Sequence, residues 1–146
     1  MISALKNLLH NKRGFTLIEL LVVIGIIGIL IGVVLVAVNP QRQFAQARDT
    51  QRRSDLYSIT NAIYQYATSN NGNLPAAITT TATHIGTGSG NVDLSTSLVP
   101  TYLPSVPKDP STGTDADTGY VIFKDANNRL TASATGEITT AITVSR

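Results

Sequence analysis

Residues 12–23 read KRGFTLIELLVV: two positive charges and a glycine precede an apolar run, and a carboxylate, Glu19, stands inside that run. The run continues to Val38, and from Leu20 onward it holds no charged residue. At about 1.5 Å per residue this uncharged part of a helix is ~28 Å long, near the hydrocarbon thickness of a bilayer. The stretch therefore predicts a membrane-spanning helix with a charge near its start. A cleaved secretory signal is the weaker reading. Its apolar region is about 7 to 15 residues long and ends in small residues, whereas Leu35-Val36-Ala37 is bulky where a small side chain is wanted.

The rest of the composition follows from that segregation. A chain of 146 residues allows one modest domain plus an anchor. Beyond Pro40 it is polar and rich in Thr, Ser, Asn and Gly. A soluble portion of this size is marginal alone and gains from packing on a long helix or on neighbouring subunits. There is no Cys, hence no disulfide and no thiolate metal site. The net charge of +2 belongs to the N-terminus: without Lys6, Lys12 and Arg13, eight basic side chains face nine acidic ones. A nucleic-acid partner is not expected from such a balance.

Asn39-Pro40 should break or kink the helix, because proline removes a backbone donor and disfavours helix in the residue before it. Helical periodicity then resumes. Leu56, Ile59, Ile63 and Tyr66 form one apolar stripe with Ala62 and Ala67 beside it, and Asp49 and Arg53 are spaced for an i, i+4 pair. An amphipathic helix is predicted over about 41–69, ended by Asn70-Asn71-Gly72 and Pro75. From Gly72 to about Thr118 the chain reads as irregular, with a short helical turn near Ser95 to Leu103. Tyr120 to Lys124, the alternating residues Leu130 to Thr135, and a third run from Ile138 to Val144 read as an antiparallel meander whose buried face the amphipathic stripe would cover. The fold class is thus α+β. The divisions are 1–14, 15–38 (transmembrane), 39–70 (amphipathic continuation), 71–117 (irregular) and 118–146 (β-sheet).

The stretch Lys12 to Glu19 and the apolar run behind it resemble the leader and N-terminal helix of type IV pilins and of the pseudopilins of type II secretion systems. Shorter segments are also similar to pilin-like proteins: Ala47-Arg48-Asp49, Asn71-Gly72-Asn73-Leu74-Pro75 and Pro107-Lys108-Asp109-Pro110. The resemblance implies a pilin-like fold, a long N-terminal helix packed on an antiparallel sheet. It implies that a prepilin peptidase cuts after Gly14, the last leader residue, guided by Lys12 and Arg13, and methylates the new N-terminal Phe15. Glu19 falls at the acidic position of the family. There it would pair with the N-terminal amine of a neighbouring subunit, while Gly28 and Gly32 would allow close helix approach. The implied function is a structural subunit of a pilus-like filament or secretion pseudopilus. Its partners would be copies of itself, the peptidase and methyltransferase, and the assembly platform proteins with their ATPase. The precursor would sit as a single-pass protein in the cytoplasmic membrane, with its C-terminal part outside the cytoplasm, and the assembled filament would be periplasmic or on the cell surface. The alternative is a singly anchored surface protein that binds a ligand without polymerising.

Each candidate also has a plain structural reading. An unpaired carboxylate in a bilayer costs about 2.5 to 3.5 kcal/mol, less near a helix end where it reaches the interface, and Glu19 could simply sit there. Arg42, Arg48, Arg52 and Arg53 could capture DNA or pair between subunits, but they read rather as a solvated helix face balanced by Asp49 and Asp55. Asp109, Asp115, Asp117 and Asp125 could contribute to a calcium site, but their spacing matches no EF-hand loop and Asp is common in turns. No metal or other cofactor is therefore assigned. For catalysis there is no Cys nucleophile, the histidines are His10 and His84, and Gly86-Thr87-Gly88-Ser89-Gly90 lacks the basic residue of a phosphate loop. The chain does not read as an enzyme.

Overall fold

The structure, a computed structural model, describes residues 14–146; Lys12 and Arg13, read as leader residues, lie outside the described residues. Two compact units divide at Pro40.

The first unit contains one described helix, α1 (Leu17–Val38), of 22 residues. It is long and apolar enough to cross a membrane, and none of its residues is buried. Asn39 ends it in the left-handed region (φ 43°), a conformation that asparagine tolerates better than most residues. Pro40 then opens the next helix, where its missing N–H costs nothing.

The second unit begins with helix α2 (Pro40–Ser69). Strand β1 (Thr83–His84) and a single helical turn, α3 (Ser95–Leu98), follow. Strands β2 (Tyr120–Lys124), β3 (Leu130–Thr135) and β4 (Ala141–Ser145) complete a four-stranded antiparallel sheet in the order β1-β2-β3-β4. The fold is α+β, as the periodicities imply. Register sets the two faces. Ile122 pairs with Ala132 and that with Val144, while Tyr120 pairs with Ala134 and that with Ile142, and all six are buried. The helical stripe Leu56, Ile59, Ala62 and Ile63 joins them in one core, completed by Ile78, Ile85, Leu94 and Leu98 from the segment between α2 and β2. Each large side chain buried this way contributes about 1.5 to 3 kcal/mol. Tyr66 only packs against the core edge, ring to ring with Tyr102.

Two features depart from the sequence expectation. The segment 71–117 supplies the strand β1, whose Thr83 and His84 face Ile122 and Val121; two residues are too short a run to show alternation. The last strand begins at Ala141 and not at Ile138, because the amides of Glu137, Ile138 and Thr139 are turned away from the ladder toward the side chain of Asp49.

Candidate functional site

At the start of α1, Thr16 is the N-cap and forms a capping box with Glu19. Thr16 Oγ1 accepts the Glu19 amide (3.2 Å), and Glu19 Oε2 accepts both the Thr16 amide and its hydroxyl, each at 2.8 Å. The carboxylate thus satisfies donors that the first helical turn would otherwise leave unpaired. The signal was present in the Thr-x-x-Glu spacing. Phe15 is 88 % exposed and sits with Ile18, Glu19, Val22 and Val23 along one side of the helix. Gly14 precedes the helix, and a Cβ at Gly28 or Gly32 would meet no atom within 4 Å. Within a single copy, nothing requires glycine at those two positions.

A second polar centre lies where α2 meets the loops of its own unit. Arg52, 2 % exposed, donates from Nε and Nη2 to both oxygens of Asp109 (2.6 and 3.1 Å), from Nη1 to Asp49 Oδ1 (2.9 Å), and from Nη2 to Ser111 Oγ (2.7 Å). Its Nη1 also lies 3.0 Å from Glu137 Oε1. Arg48 holds the same Glu137 through a two-pronged contact, at 2.7 Å from Nε. Asp49 in turn accepts the amides of Glu137, Ile138 and Thr139 at 2.8, 2.9 and 3.1 Å. Gly136 makes this approach possible: a Cβ there would lie 2.1 Å from the Thr139 carbonyl and 3.1 Å from the Asp49 carboxylate. Close by, the Tyr120 hydroxyl donates to Asp55 Oδ2 (2.7 Å), and Asp55 Oδ1 accepts from Gln51. Every buried side-chain nitrogen or oxygen among the described residues has a partner.

The electrostatics follow from the geometry. Burial opposes ionisation of Asp49, but the three amides and Arg52 outweigh it and hold its pKa at about 2. Burial likewise opposes ionisation of Asp109, and Arg52 with Ser111 and Thr112 drives it well below the usual carboxylate range. Glu137 is held at about 2, chiefly by Arg48. Arg52 is pushed further up, first by Asp109 and against the effect of burial. The Tyr120 hydroxyl is raised by burial and then by Asp55.

This centre corrects the reading of the basic cluster as a solvated face. Arg52 is a buried ion-pair partner, and the i, i+4 pair of Asp49 with Arg53 is not made, because Asp49 is turned toward Arg52 and the β3–β4 loop. The cation of Asp109 lies 57 residues away in the chain, a separation that leaves no sequence signal. The four aspartates considered for calcium go to separate partners: Asp109 to Arg52, Asp115 to Lys108, Asp117 to His84, and Asp125 to the amides of its own turn. Among the described residues, no group of three or more His, Cys, Asp or Glu side chains is placed to hold a metal ion.

Residues 9–35 match the family model of the prokaryotic N-terminal methylation motif. The N-terminus is that of a type IV pilin-like prepilin. No curated protein and no solved structure matches the chain. The matched residues take in the capping box, Glu19 and most of α1, so the prepilin motif coincides with the segment that one copy leaves wholly exposed. Prepilins of this kind are structural subunits, processed by a prepilin peptidase and assembled into filaments, and the apolar helix fits a membrane-anchored precursor.

Proposed function

We propose that this prepilin is a subunit of a helical filament of the type IV pilus or type II secretion pseudopilus class, cleaved after Gly14 and N-methylated on Phe15. One observation carries the reading: the methylation motif over residues 9–35 runs into a helix, Leu17–Val38, that buries none of its residues within the chain. In water so much apolar surface is unstable. A bilayer covers it in the precursor, and a bundle of like helices covers it in the filament. In that bundle the carboxylate of Glu19 requires a cation. Cleavage supplies one, the amine of Phe15 on the neighbouring subunit, which does not exist in the precursor. Gly28 and Gly32 have no steric role within one copy and there serve helix-to-helix approach.

The test is the intact mass of the protein taken from its native cells. A chain that begins at Phe15 and carries one added methyl group supports the reading. An uncleaved, unmethylated chain in filament-forming cells would overturn it and favour a singly anchored protein that never polymerises.

A further inference from the structure

Arg53 lies on the exposed side of α2 and forms no ion pair among the described residues, since the carboxylate four positions earlier, Asp49, is taken by Arg52 and the β3–β4 loop. A long, cationic side chain thus stands exposed on α2. Elsewhere in the same unit, a recess of about 260 Å³ has the complementary character. Its wall is apolar, from Leu94, Val99 and Val106, and its polar lining includes Asp93, Asp115 and Lys108. Lys108 Nζ neutralises Asp115 at 2.9 Å, although Asp115 remains 85 % exposed. Asp93 accepts the amide and hydroxyl of Ser95 through Oδ1 and has no cationic partner among the described residues. Two carboxylates against one ammonium leave the recess with an excess negative charge.

We infer that this recess is a socket for Arg53 of a second copy of the chain. The chemistry suits arginine. Its aliphatic stem lies well against an apolar wall, and its planar fork engages carboxylates with two donors at once. Arg53 does not line the recess of its own chain, so the complement is met between copies. A knob and a socket on different parts of one surface make a head-to-tail contact, which builds an open helical assembly and not a closed dimer. The inference rests on the filament reading and adds to it a contact outside the apolar helices.

Charge exchange tests it in the full-length chain, expressed with its own assembly machinery, with processing and membrane level measured alongside filament yield. Arg53→Asp and Asp115→Lys are each expected to lower filament yield by about tenfold or more, because juxtaposed like charges cost at least the equivalent of that factor. Both variants should be cleaved as the wild type is, since neither residue is near Gly14 in the chain. The double variant, Arg53→Asp with Asp115→Lys, should recover most of the yield. Single variants that assemble at wild-type yield, or a double variant no better than either single, would overturn the socket and leave the filament reading intact. A wild-type chain that is processed but never polymerises would overturn both.

Discussion

Replacing Arg52 with alanine removes the cation on which three carboxylates converge. The side chain is 3 % exposed, and Asp109 and Asp49 are each 8 % exposed, so the charges left behind stay largely out of water. Breaking a buried pair by deleting one partner typically costs about 3 to 5 kcal/mol. The lower end applies here, because Asp109 keeps the amides of Ser111 and Thr112 and Asp49 keeps its three loop amides. About 3 kcal/mol is a large share of the ~5 to 15 kcal/mol that holds a domain folded. Arg52→Lys should recover about half of it, since an ammonium carries the charge but not the fork that spans both oxygens of Asp109. Urea unfolding of the full chain in non-ionic detergent can be followed by tyrosine signals, because the protein has five Tyr and no Trp, and Tyr120 is fully buried. With a slope of about 1.5 kcal/mol per molar urea, the alanine variant should unfold ~2 M earlier. Its pH dependence supplies a second readout. Asp49 and Glu137 titrate at about 2 in the folded wild type, against 3.8 and 4.5 ordinarily. Their folded-state values are depressed, so the stability they add is complete above the ordinary values and is lost as pH falls toward about 2. Without Arg52, the burial that opposes ionisation of Asp109 is answered only by Ser111 and Thr112, so acid loss should begin at higher pH than in the wild type. An alanine variant within 1 kcal/mol of wild type, or a lysine variant equal to it, would refute the reasoning.

Other outcomes follow from the N-terminal segment and from the β3–β4 loop. Gly14 replaced by a bulky residue should leave uncleaved precursor in the membrane, visible as an unshifted band on a gel; normal processing would argue against the assigned cut. Glu19→Val should insert at least as well as wild type, because it removes a charge that costs at most about 2.5 to 3.5 kcal/mol in a bilayer and less near a helix end, yet yield no filaments in sheared-cell preparations. Filaments at wild-type yield would exclude the pairing role of Glu19. Gly136→Ala would force a methyl group to within 2.1 Å of the Thr139 carbonyl, and such overpacking should cost about 1 to 3 kcal/mol. Faster hydrogen exchange at the amides of Glu137, Ile138 and Thr139 is the specific sign; unchanged protection there would show that the loop does not need glycine.

Local features of the chain were legible without coordinates. The apolar run, the break at Asn39-Pro40 and the β-forming stretch of β2 follow from residue type, and the stripe Leu56, Ile59 and Ile63 and the alternation along β3 from a period that near neighbours impose. Strand β1 escaped because a strand of two residues has no period to read. The early end assigned to β4 failed for a related reason: alternation through Ile138 and Thr140 shows which residues could pair, not that Asp49 would claim the intervening amides.

By itself, then, the sequence determined what depends on the order of neighbouring residues: a leader-like charge and glycine before an apolar helix long enough for a bilayer, a carboxylate one turn inside it, and an amphipathic helix followed by strands. Only the tertiary structure decided what each charge does. Four arginines near one another in sequence look alike, yet Arg52 is buried against an aspartate 57 residues away, Arg48 grips Glu137, and Arg53 remains exposed. Burial and partner distance set the strength of an ion pair, and both depend on residues brought together by folding across separations that no local pattern encodes.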